Sequence, residues 1–301
     1  MKNILKETAA AMFLGSLLSC QQIQEDSTKP RPMVRIEINA TTLLKSDIGD
    51  WNDGGSGDIT TNGTPVSSRS ADEAVKRMAF VLINEDGEKT IAQEKSSEDD
   101  DYMTLTAEVP EGEYTLIAFG HNGTSSATIS ASKTITPEGK LTDSFLYYKE
   151  MELTNSSSGS KSITLDRCIA KFSMKHTDEI PDGVASIVFH ISGGGRVLDA
   201  STGFATETAA QTVTVNLPES GVPKKDNTFS AFTFLPSEEA ELDITVSAKD
   251  KDGEAIATYE FEDVDMEVNM QTIYTGAFFK RSKSFSASVN RDWKDSNEVS
   301  F

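Results

Sequence analysis

Apolar and polar residues alternate one by one in short runs along much of this chain. VRIEINA sets Val34, Ile36 and Ile38 against Arg35, Glu37 and Asn39. YMTLTAEV sets Tyr102, Thr104 and Thr106 against Met103, Leu105, Ala107 and Val109. A period of two places one set on a core face and the other in water, as a half-buried β-strand requires. Few windows carry a 3.6-residue apolar stripe longer than two turns, and Ser, Thr and Gly are abundant. The expected fold class is all-β.

The turns divide the chain further. Met78–Ile83 reads as a strand that turns at Asp86-Gly87 into a short return strand. Pro110-Glu111-Gly112 reads as a turn, after which Tyr114, Leu116 and Ala118 share a face up to Gly120. Later strands are expected at 185–191, 212–217, 228–235, 241–248, 255–261 and 270–279. The segment 43–70 is rich in Gly, Asp, Ser and Thr and reads as a long loop. TNSSSGS, at 154–160, reads as a boundary between two domains. The expected division is 1–19 as a signal peptide, 20–32 as a tether, and 33–155 and 156–301 as two β-sandwich domains. INEDGEKTIAQE in the first part and AKDKDGEAIATYEF in the second share a strand, Asp-Gly turn, strand grammar. They suggest two copies of one fold, or only a common way of making hairpins.

The start of the chain suggests an address. Lys2 and Lys6 precede an uncharged run from Thr8 to Leu18 that ends at Leu17-Leu18-Ser19-Cys20. That run is too short for a spanning helix, which needs roughly 20 residues, but suits the apolar region of a secretory signal. LLSC resembles the lipobox of bacterial lipoproteins, which makes Cys20 the lipidation site. Acyl chains contribute about 0.8 kcal/mol per buried CH2, so two or more give a durable anchor. The net charge of −20, from 48 acidic and 28 basic residues, disfavours nucleic acid and anionic bilayers as partners. With Cys20 acylated, Cys168 has no partner thiol and reads as a small buried hydrophobe.

No motif announces an enzyme. His121, His176 and His190 lie far apart in sequence and form no zinc-binding spacing. SGGGRV at 192–197 lacks the Lys-Ser/Thr and following helix of a phosphate loop, and reads as a strand connection. Gly-x-Ser-x-Gly is absent. Asp47, Asp50, Asp53 and Asp58 crowd one loop, while Asp250 and Asp252 precede Gly253 and Asp263 and Asp265 flank Val264. These depart from the EF-hand pattern and leave room only for weak calcium binding beside a solvated acidic surface. No other cofactor is expected.

Several of these segments together resemble the fimbrillin-like lipoproteins of Bacteroidetes, a family containing fimbrial anchor, stalk and tip subunits. The resemblance is carried by LLSC, VRIEINA, AVKRMAFVLINEDGE, VPEGEYTLIAFG, ITLDRCIAKFSM and QTIYTGAFF. It implies two tandem transthyretin-like Greek-key sandwiches, a non-enzymatic role, and a place on the outer membrane facing the cell exterior or in the fimbrium. Its implied partners are other fimbrial subunits, the membrane through the lipid, and a host or bacterial surface ligand. It also implies assembly by strand exchange, in which an arginine-specific protease removes the first strand of stalk subunits. Here Val34, Ile36 and Ile38 match that strand, and Arg69-Ser70 match a cleavage position, or Arg69 is a solvent residue in a loop. Phe285, Ala287 and Val289 alternate as a C-terminal donor strand would, although Arg291-Asp292 follow them. The alternative is a surface glycan-binding lipoprotein, with Trp51, Tyr147, Tyr148 and Trp293 as its candidate platform.

Overall fold

The computed structural model describes residues 31–42, 75–218, 225–280 and 285–290. The described residues contain β1 (Met33–Thr42), β2 (Arg77–Asn84), β3 (Lys89–Ser96), β4 (Thr104–Pro110) and β5 (Gly112–His121). They continue with β6 (Ala127–Ile129), β7 (Thr134–Pro137), β8 (Ser144–Leu153), β9 (Gly159–Arg167), β10 (Ala170–His176) and β11 (Ser186–Ser192). Next come β12 (Leu198–Asp199), β13 (Phe204–Ala205), β14 (Gln211–Asn216) and β15 (Thr228–Thr233). The last are β16 (Glu239–Lys249), β17 (Ala255–Glu267), β18 (Gln271–Gly276) and β19 (Phe285–Asn290). The only helical element among them is a short 3-10 turn at Asn155–Ser157. Among the described residues no helix is long and apolar enough to cross a membrane.

One seven-strand plan occurs twice. In the first half, β1 pairs antiparallel with β4 and parallel with β9, while β2 lies between β3 and β5, and β5 pairs with β8. In the second half, β10 pairs antiparallel with β15 and parallel with β18, while β11 lies between β14 and β16, and β16 pairs with β17. Partner, pairing sense and chain order all agree. Each half encloses its own apolar core. Val34, Ile36 and Ile38 meet Phe80, Leu82 and Leu116 in the first. Phe172 and Met174 meet Phe189, Val246 and Phe261 in the second.

The halves differ where the plan is interrupted. The first inserts β6 and β7 before β8, and the second inserts β12 and β13 before β14. These two insertions pair with each other through β7 and β12 and make a small sheet of their own. A third apolar cluster lies beneath it, where Val81, Ile117 and Phe119 meet Ile135, Leu198 and Phe234. This explains the unbroken apolar run of β2. Met78, Phe80 and Leu82 face the first core while Ala79, Val81 and Ile83 face the third, so neither side of the strand meets water. From Pro32 on, the described residues therefore form one body.

The expected strands at 78–83, 185–191, 212–217, 228–235, 241–248, 255–261 and 270–279 each coincide with or overlap an observed one. The expected division at 155/156 does not coincide with the sheet boundary. Gly159–Arg167 is the last strand of the first half, in register with β1 from Ile36↔Gly159 to Thr42↔Leu165. Ile163 and Leu165 alternate into the first core, and TNSSSGS only turns β8 into β9. The chain passes to the second half between Arg167 and Ala170. The two Asp-Gly hairpins, β2–β3 and β16–β17, occupy different places in the shared plan. Their likeness is hairpin grammar; the duplication lies in the strand order.

Candidate functional site

The strand-exchange residues singled out by the sequence fall on the first and last described strands. Val34, Ile36 and Ile38 are 0, 1 and 2 % exposed. Alternation turns Arg35 and Glu37 outward. β1 is bonded on both edges, so it is an interior strand and not an added rim. Cys20, Arg69, Ser70, Trp51 and Trp293 lie outside the described residues, as does the Asp47–Asp58 cluster.

β19 lies antiparallel along the outer edge of β18, from Gly276↔Phe285 to Gln271↔Asn290. Phe285 packs its ring 4.4 Å from Tyr259 and 5.1 Å from Phe261. Ala287 is exposed and Val289 is half-buried. In this structure the alternating C-terminal segment covers an edge of its own chain. The first-half equivalent of β18 is β9, which meets β8 only at Phe145↔Arg167 and Leu146↔Asp166.

A buried ion pair stands at that junction. Arg167 donates from Nε and Nη2 to the two carboxylate oxygens of Asp143, at 2.6 and 2.8 Å. Its guanidinium lies 5.0 Å from the Phe145 ring centre. Nη1 donates to Asn269 Oδ1 at 3.2 Å, reaching the turn between β17 and β18. Asn269 N–H in turn donates to Ile169 O at 3.0 Å. The fork of arginine matches a carboxylate bidentately, which suits a paired, largely desolvated site. The sequence hint was a lone arginine within LDRCIAKF, a signal too small to name its partners.

The other candidates resolve into packing. His121 and His176 are buried, and burial lowers the pKa of each below the ordinary histidine value. His190 is exposed, with Nδ1 3.3 Å from Thr212 Oγ1. Cys168 is buried, and desolvation pushes its thiol pKa up, which makes it inert. Tyr147 packs against the first core. Tyr148 accepts from Lys133 Nζ at 2.8 Å and donates to Glu150 at 2.7 Å. These two tyrosines thus present no bare aromatic platform.

The glycines of SGGGRV sit where backbone and side chains crowd. A Cβ on Gly194 would fall 2.1 Å from Thr233 Oγ1, and one on Gly195 would fall 2.5 Å from Ala205 Cβ. The run is a close approach beneath the small sheet. Asp250 Oδ1 accepts the backbone N–H groups of Asp252 and Glu254, each at 2.9 Å, which shapes the turn at Gly253. Among the described residues, no group of three His, Cys, Asp or Glu side chains is placed to hold a metal ion.

Residues 59–300 match a family of unknown function (DUF6562), and the chain belongs to that family. No curated protein matches the sequence. Among solved structures, a candidate polysaccharide-binding protein (DUF1812) of Bacteroides thetaiotaomicron is 10 % identical, with a TM-score of 0.51 over 85 % of this chain and 96 % of that one. A candidate adhesin of Bacteroides ovatus is 10 % identical, with a TM-score of 0.50 over 88 % and 96 %. The fimbrial anchor protein Mfa2 of Porphyromonas gingivalis is 12 % identical, with a TM-score of 0.43 over 86 % and 98 %. At these identities the first two likenesses establish a shared fold and no more.

Proposed function

We propose that this protein is a non-enzymatic structural subunit of a bacterial surface filament, tethered by lipid at Cys20, that assembles by β-strand exchange and contributes to adhesion. The observation that carries the reading is the position of β1. It is an interior strand whose inward side chains Val34, Ile36, Ile38 and Ala40 are all buried. A 34-residue connection (43–76) containing Arg69 separates it from β2, whereas only nine residues (177–185) separate the equivalent β10 from β11. A cut at Arg69 would sever the covalent link between β1 and the rest of the fold. Loss of β1 would open two hydrogen-bonding edges and an apolar groove, which an extended strand from another subunit can fill. The fold shared with a candidate adhesin and a candidate polysaccharide-binding protein agrees with a surface role. The acidic charge is compatible with it.

The test is gentle shearing of native cells, followed by mass spectrometry of this protein's N-terminus in released filaments and in the pellet. Released protein beginning at Ser70 identifies a polymerising subunit that has lost its lipid and first strand. Protein confined to the pellet with acylated Cys20, yet bound to filaments, identifies an anchor. No association with filaments overturns the proposal and leaves glycan binding as the reading to pursue.

A further inference from the structure

The connection that leads into β19 is held by one buried carboxylate. Asp178, 4 % exposed, accepts the backbone N–H of Phe278 on Oδ1 at 2.9 Å. Its Oδ2 accepts the N–H groups of Phe279 at 2.7 Å and Lys280 at 2.9 Å. Three donors on one carboxylate make a strong, charge-assisted anchor. Phe278 is fully buried and its ring faces Phe285, the first residue of β19. Asp178 therefore fixes the chain at Phe278–Lys280, which precede the last strand in sequence.

His176, fully buried, stands against that anchor. Its Nδ1 donates to Asp178 O at 2.8 Å, and its Nε2 accepts from Asn227 Nδ2 at 3.3 Å. The two bonds use both ring nitrogens of a single neutral tautomer. The ring stacks on Phe229 and meets Phe279 edge-on. Asp178 from the connection after β10 and Asp226 from the residues before β15 are the charged groups acting on it. A second proton would put Nε2–H against the Asn227 amide donor. It would also draw Asp178 Oδ1, already 3.9 Å from Nδ1, away from the Phe278 N–H.

We propose that His176 and Asp178 form a pH-sensitive clamp on the C-terminal strand, closed when His176 is neutral and loosened when it is protonated. Release begins at Phe278–Lys280 and passes to β19, an edge strand bonded only to β18 among the described residues. The rest of the second core stays closed. The device is independent of any filament and needs no partner.

Hydrogen exchange of the full chain, corrected for intrinsic rates, tests it between about pH 7.5 and about pH 5, a range spanning histidine titration. Protection over Phe278–Lys280 and β19 is expected to fall about tenfold per pH unit below the ordinary histidine range, while Leu242–Ala248 of β16 stays protected. His176→Gln should abolish this step. Should that variant not fold, Asp178→Asn supplies the check: weaker protection already at neutral pH and a smaller step. An unchanged wild-type profile, equal loss in β16, or a full-sized step in Asp178→Asn would overturn the clamp.

Discussion

The two halves share a strand plan but finish it differently. In the first, β8 and β9 pair at their far ends, and the two layers run on as one seven-stranded sheet. Its rims nearly meet, since Lys95 of β3 donates to Thr104 O of β4 at 2.8 Å. In the second, β17 and β18 belong to separate sheets, and β19 lies on the outer edge of β18. The opening strands differ as well. β1 follows the N-terminal segment and is linked to β2 by a long connection, whereas β10 follows β9 after two residues. The same packing problem is thus solved once with a strand whose two links are both long or terminal, and once with a strand held short at both ends. The strand-exchange proposal rests on this difference in the connections to the opening strand.

The sharpest way to break the comparison is to charge the interior strand. Ile36→Asp puts a carboxylate into the first core and should cost at least about 4 kcal/mol, because nothing there can pair with it. Urea denaturation should show the first half unfolding at low denaturant. Arg167→Ala comes next. It leaves Asp143 without its partner beside β9, and losing one member of a buried pair costs about 3 kcal/mol. Because Arg167 also reaches Asn269, calorimetry should resolve one transition into two.

Phe285→Ala sharpens the other side. The half-buried ring covers Tyr259 and Phe261, so its removal should cost about 1.5 kcal/mol by lost apolar burial. Exchange in the second half alone should report it, with β1 and β4 unchanged.

Mild acid has the smallest effect. His121 and His176 have folded pKa values below the ordinary 6.5. The unfolded chain therefore takes up protons first. Stability is complete above 6.5 and declines as pH falls from there towards the folded values. Thermal melts should show that His121→Gln flattens the decline.

Much of this was legible in the residues. The inward set of VRIEINA and the apolar set Leu105, Ala107 and Val109 both reached the core, because period-two alternation leaves a strand only one way to face water. The short strands β6, β7, β12 and β13 left no such trace. They run two to four residues and are stabilised by each other across a gap of some sixty positions in the chain. TNSSSGS reads as a domain boundary because a Ser/Gly cluster signals a turn without saying whether the next strand returns to the same sheet. SGGGRV reads only as a strand connection, and its crowding by Thr233 and Ala205 exists only once distant strands have met.

By itself the sequence determined an all-β fold, the inward face of most strands, and the absence of any histidine or nucleophile motif spaced for catalysis. These are local properties, set by side-chain period and turn chemistry. Tertiary structure alone decided that one plan is used twice, that β9 closes the first half, that the insertions join the halves, and that Asp178 anchors the chain ahead of β19. Each depends on which strands pair across long stretches of chain. Pairing is chosen by the joint burial of both partners, a quantity that no single segment carries.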